Sequence, residues 1–141
     1  MKQMIDMKDL MYINLFERIT RVRTKSCFFY NNILIYAIPS GWVSRAIGKN
    51  GENVKELSRI LNKKIKIIGL SEDMSNRAQI QNFISDVVKP TTFKSLEMNE
   101  NEIIISGSRD DKAALIGRNR VRFDELSLII KEFFGKTLKI V

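Results

Sequence analysis

Gly48-Lys49-Asn50-Gly51 is the segment whose residue types and spacing are best suited to gripping an anion. Glycines at its first and fourth positions let the backbone bend sharply and come close to another molecule. Apolar residues follow at Val54, Leu57, Ile60 and Leu61, so the loop opens a helix. The free N–H groups and positive dipole end of that helix face whatever docks there. Lys49 adds a mobile cation, with Arg45 and Lys55 close in sequence. A sugar-phosphate backbone is the natural ligand for such a surface. Taken alone, G-x-x-G is a common product of turns; its surroundings give it meaning.

The charge distribution agrees with an anionic partner. The 141 residues carry 24 Lys+Arg against 16 Asp+Glu, a net charge of +8. Residues 1–70 hold 13 basic and 5 acidic residues, whereas residues 71–141 hold 11 of each. The whole surplus sits in the half that contains the loop, as expected if that half faces a polyanion. There are no histidines and one cysteine. This removes Ser-His-Asp and Cys-His catalysis, histidine-ligated zinc and an internal disulfide. Cys27 reads as a small buried side chain. Of the adjacent acidic pairs, Glu72-Asp73 and Asp110-Asp111 fit helix starts, and Asp124-Glu125 fits the first turns of a helix. None has metal-ligand spacing. Gly135-Lys136-Thr137 imitates the end of a phosphate-binding loop, but Ile130 stands where the first glycine is required. Neither an enzyme nor a cofactor is expected. No apolar run approaches the ~18 residues of a membrane helix, and the first ten residues lack a signal-peptide core. A cytoplasmic monomer with no membrane partner is expected.

The elements around the loop follow from periodicity. Asp6 can cap a helix with apolar residues at Met7, Leu10, Met11 and Leu15. Arg21 to Tyr30 and Ile33 to Ile38 read as a hairpin about Asn31-Asn32. A short helix from Trp42 to Ile47 leads into the loop, the second helix follows, and Lys64 to Ile68 reads as a strand. After Gly69 to Asp73 the order begins again. Ile80, Phe83, Ile84, Val87 and Val88 form a helical stripe ended by Pro90. Phe93 to Met98 and Ile103 to Ser106 flank a polar turn. Asp110 to Ile116 is a short helix, Gly117 to Arg120 a loop, Val121 to Phe134 a helix and Lys136 to Val141 a strand.

The repetition extends to residues. When Ile47–Ile60 is shifted by 69 positions onto Ile116–Ile129, Ile47, Gly48, Asn50, Glu56, Leu57, Ser58 and Ile60 meet identical partners, and Lys49 meets Arg118. A spacing near 70 is too long for a solenoid repeat and fits two tandem copies of one small domain, residues 1–70 and 71–141. The expected class is α+β, each copy α-β-β-α-α-β, with a three-stranded sheet and helices packed on one face.

With Met11 to Glu17, Ala46 to Val54 and Ala114 to Arg118, the chain resembles the KH family of single-stranded nucleic-acid binders, in which a GXXG loop clamps four backbone nucleotides. The element order is that of the type II variant. A tandem pair of this kind is similar to the archaeal NusA-like transcription termination/antitermination factors. That resemblance implies single-stranded nascent RNA as ligand and RNA polymerase as a partner. A ribosome-associated or RNA-processing role is the alternative. It also implies that Gly48, Lys49, Asn50 and Gly51 hold the RNA backbone. Ile47 and Val54 would line an apolar groove under the bases, with plain core as their other reading. The strand Lys64 to Ile68 would form the far wall. Lys63, Lys64 and Lys66 read equally as a solvated face or as phosphate contacts.

The second loop departs from the pattern, because its fourth residue is Arg120. A Cβ there strains a positive-φ turn and obstructs a close approach, while Arg118, Arg120 and Arg122 offer guanidinium groups for phosphate. Either this copy grips RNA in another geometry or it serves as a packing partner; the neutral charge of its half favours the second. Trp42, near Arg45, reads as a core or interdomain contact ahead of a base-stacking platform.

Overall fold

The computed structural model describes residues 7–24 and 26–141, so the expected Asp6 cap lies outside the described residues. Among these the chain divides between Glu72 and Asp73 into two compact units.

The first unit begins with α1 (Met7–Thr20), which buries Tyr12, Ile13, Leu15 and Phe16. It stops at Thr20, whose Oγ1 donates to the Phe16 carbonyl at 2.8 Å and accepts from Val22 N at 3.1 Å; Arg21 then turns to φ +62°. The strand expected from Arg21 starts later, as β1 (Ser26–Tyr30). Side chains account for the difference. Thr24 N donates to Glu17 Oε2 at 3.1 Å, and Thr24 Oγ1 donates to the Ala37 carbonyl at 2.9 Å. These local bonds replace the ladder there. Asn31 and Asn32 both take positive φ, the geometry of a two-residue hairpin turn.

β2 (Ile33–Pro39) pairs antiparallel with β1 and parallel with β3 (Lys64–Leu70), giving the order β1-β2-β3. Between β2 and β3 lie a single 3-10 turn (Ser40–Trp42), α2 (Val43–Ile47), a second such turn (Lys49–Gly51) and α3 (Glu52–Leu61). Leu34, Tyr36 and Ile38 alternate onto one face of the central strand. They join Tyr12, Phe16, Ala46 and Leu57 in the core. The Phe16 and Tyr36 rings stack at 4.3 Å. Burial, with Cys27 and Tyr12 beside it, pushes the Tyr36 phenol well above its ordinary range, and the neutral hydroxyl donates to the Tyr12 carbonyl at 2.9 Å.

The second unit repeats the order. α4 (Arg77–Val88) buries the stripe Ile80, Phe83, Ile84, Val87 and Val88. Its cap is Asn76, which accepts from Ala78 N at 2.8 Å. Glu72-Asp73 is therefore not the helix start expected. Asp73 instead accepts from Ser75 N and Oγ, which holds its carboxyl below the usual range. β4 (Ser95–Met98) and β5 (Glu102–Ser106) pair antiparallel, and β6 (Thr137–Ile140) pairs parallel with β5. α5 (Arg109–Ile116) starts in a capping box of Ser108 and Asp111. A 3-10 turn (Arg118–Arg120) leads to α6 (Val121–Phe134). Phe83 packs against Phe133 and Phe134 in this core. The fold is α+β, two KH-type units each ordered α-β-β-α-α-β around a three-stranded sheet. Among the described residues, no helix is long and apolar enough to cross a membrane.

Candidate nucleic-acid interface

The loop between α2 and α3 is held by its own backbone. Gly48 N donates to the Ser44 carbonyl at 3.1 Å, and Gly51 N donates to the Gly48 carbonyl at 3.1 Å. Gly48 has φ +83° and ψ 168°, a region that is essentially glycine-only. A Cβ there would come within 2.9 Å of Glu52 Cγ and 3.0 Å of Asn53 Cγ. Asn53 earns its position by donating to the Ala46 carbonyl at 3.1 Å, tying α3 to α2. Asn50 is left-handed (φ +55°) and Gly51 also (φ +73°). A Cβ on Gly51 would meet nothing within 4 Å, so the protein's own packing does not fill that side of the loop. Gly51 is the N-cap of α3 and supplies no side-chain cap, which leaves first-turn amides for an outside acceptor. Lys49 and Asn50 are exposed at the tip.

Beside the loop, α3 and β3 enclose a groove of about 640 Å³ lined by Ile33, Val54, Lys55, Ser58, Arg59, Lys64, Ile65 and Lys66. Val54 and Ile65 give it an apolar floor while packing against the core behind. Lys55, Arg59, Lys64 and Lys66 place four cations along it. Of the expected groove residues, Val54, Lys55, Lys64 and Lys66 are brought together here. Ile47 is half-buried against the core and lies outside this lining, a placement that both of its readings allow. Lys63 lies over the Phe29 ring at 5.4 Å. Arg59 had no expected role. Its spacing of four from Lys55 puts the two on one helical face, a signal present in the sequence. It also pairs with Glu56.

Trp42 is 46% exposed, which overturns its reading as core. The Arg45 guanidinium lies 5.2 Å from its ring centroid, so the two form an exposed cation–π pair near the loop.

The second loop keeps the geometry of the first. Gly117 has φ +75° and ψ 171°, Asn119 φ +56° and ψ 27°, and Arg120 φ +61° and ψ 21°, against +73° and 21° at Gly51. The positive-φ turn is kept despite the Cβ of Arg120. Its backbone accepts the left-handed turn at a cost of about 1–2 kcal/mol. The guanidinium groups are not equally placed. Arg122 donates to Glu125 at 3.1 Å, and its Cγ would lie 2.7 Å from a Cβ on Gly117. The Arg120 guanidinium lies 4.5 Å from the Phe123 ring centroid. Arg118 is exposed. The matching groove, about 580 Å³, is lined by Phe123, Asp124, Ser127, Leu128, Lys131, Lys136, Thr137 and Leu138. Where the first groove has Lys55, Arg59 and Lys64, this one has Asp124, Leu128 and Thr137. Lys136 Nζ is occupied by the Asn99 and Glu100 carbonyls at 2.7 and 2.9 Å.

Among the described residues, no group of three or more His, Cys, Asp or Glu could hold a metal ion. Asp111 is held below the usual carboxylate range chiefly by the Ser108 N–H and serves the α5 cap.

Loop, groove and duplicated α-β-β-α-α-β order together define a tandem pair of KH-type units. No protein-family model matches the chain. It is similar to archaeal proteins named "Probable transcription termination protein NusA". Against that of Methanococcus vannielii it is 27% identical over 107 residues, 74% of this chain and 58% of the relative. Against that of Methanocaldococcus jannaschii it is 36% identical over 66 residues, 47% of this chain and 36% of the relative. Against that of Halococcus morrhuae it is 23% identical over 113 residues, 78% of this chain and 77% of the relative. The chain thus spans a little over half of the first relative and about a third of the second. The crystal structure of APE1850 matches with a TM-score of 0.63 at 30% identity, covering 97% of this chain and all of that one. By these matches the chain is similar to archaeal NusA-like proteins.

Proposed function

We propose that the chain binds single-stranded RNA through its first unit and takes part in transcription termination or antitermination on nascent transcripts, with RNA polymerase as a partner. The observation that carries the binding reading is the exposed glycine loop at 48–51, open on its outer side and leading into a groove with four cations. Phosphates meet Lys49 and the first-turn amides of α3. Bases lie over Val54 and Ile65, within reach of Lys64 and Lys66 on β3. Domain limits of 1–70 and 71–141 fit this division of labour, and no catalytic step or cofactor enters it. The transcriptional role is supported by the names of the archaeal relatives.

Filter binding with single-stranded RNA at increasing salt tests the first part. Neutralising about four to six phosphates gives a log–log slope of roughly −3 to −4, and a slope near zero would contradict the electrostatic grip. Affinity capture from cell extract tests the second. Polymerase subunits are expected, and recovery of ribosomal proteins alone would move the chain to ribosome-associated work.

A further inference from the structure

The second groove keeps its shape yet has been remade in three ways. Arg120 replaces glycine, and its guanidinium folds onto Phe123 at 4.5 Å. Phe123 is the counterpart of Val54 on the groove floor. Three cations of the first groove become Asp124, Leu128 and Thr137. Of the remaining lysines in its lining, Lys136 is tied to two carbonyls. In the first loop the space beyond Gly51 is empty; in the second, the side chain of Arg120 starts into the corresponding space. A phosphodiester strand passing from the loop into this groove would have to displace Arg120 from the ring and then run beside a carboxylate.

We propose that Arg120 closes the second groove to a nucleic-acid strand, so that this chain engages RNA through one groove, with a footprint of about four nucleotides. The assignment rests on the RNA-binding reading of the first unit. It makes Arg120 a specificity-determining residue acting by exclusion. A glycine at 120 would suit the left-handed backbone better than arginine does, so R120G is expected to fold at least as well as the natural chain.

The test is a count of bound hexanucleotide RNA by native mass spectrometry, paired with equilibrium titration. The natural protein is expected to bind one hexanucleotide. The graft R120G/D124K/L128R/T137K, which gives the second groove the glycine and the three cations of the first, is expected to bind two. Its salt dependence at the new site should steepen as the net gain of three positive charges allows, to roughly −2 on a log–log plot. R120G alone is expected to leave the affinity of the first site unchanged. Two hexanucleotides bound to the natural protein would overturn the proposal, as would a loss of fivefold or more in R120G, because Arg120 would then be a contact and not a plug. A graft that keeps the natural circular dichroism spectrum yet binds only one hexanucleotide would overturn it as well. No binding by the natural protein would instead overturn the RNA reading itself, and this proposal with it.

Discussion

Gly51 and Arg120 occupy the same place in two loops with nearly the same backbone, at φ +73° and +61°. The left-handed turn alone therefore does not dictate glycine; an arginine adopts it in the same molecule. What differs is the side chain's destination. At Gly51 the outer space is left open. At Arg120 it receives a guanidinium that settles on Phe123. The grooves diverge in step, basic beside the open loop and mixed in charge beside the closed one. One backbone has thus been kept twice, while the surface chemistry suited to a polyanion has been kept once. A sequence comparison that records only glycines and loop length would miss this, because the discriminating positions are 51, 55, 59 and 64 and their counterparts.

Substitutions in the two units separate the roles of the two loops. Replacing Lys49 and Asn50 by Asp should cost about 100-fold in RNA affinity, the equivalent of roughly 1 kcal/mol for each of three unit charges changed. Thermal unfolding should stay as it is, because both side chains are exposed; unchanged affinity would remove the loop from the interface. Gly48→Ala should destabilise the first unit by about 2 kcal/mol in urea titration, since its Cβ meets both strain and Asn53. Gly51→Arg is the sharpest of the set. It adds a cation to a polyanion site, yet the account predicts about a tenfold loss of affinity with the fold intact, as Arg120 shows the turn can carry arginine. A gain would mean that charge alone governs the site. Ser108→Ala, which removes the α5 cap, should cost about 1 kcal/mol in the second unit and leave RNA affinity unchanged. Replacing Arg118 and Asn119 by Asp should change affinity by less than about twofold; a loss matching that at Lys49 and Asn50 would put both loops on RNA.

Much of this was legible from residues alone. Apolar spacing marked the helices and strands, and the shift of 69 positions carried the repeat, but in α1 the expected Met7, Leu10 and Met11 are exposed and Tyr12, Ile13 and Phe16 join Leu15 on the buried face. The strand expected at Arg21 failed because Thr24 and Glu17 bond the backbone through their side chains, which periodicity does not register. The acidic pair Glu72-Asp73 resembles a helix start, whereas the hydrogen bonds that cap α4 belong to Asn76. In the site, the resemblance points to Val54 and the strand carrying Lys64 and Lys66 as groove residues, whereas Lys55 reads from the sequence only as a cation near the loop. Trp42 was not, since an aromatic residue near a loop gives no sign of whether it faces core or solvent. The strain expected at Arg120 was real in kind but too small to change the loop.

Backbone amide chemical shifts followed during titration with a short single-stranded RNA test the central claim most directly. The account predicts shifts concentrated at Gly48 to Lys55 and at Lys64 to Lys66, with Gly117 to Asp124 unmoved. Shifts gathered at Gly117 to Asp124, or absent from Gly48 to Lys55, would contradict it.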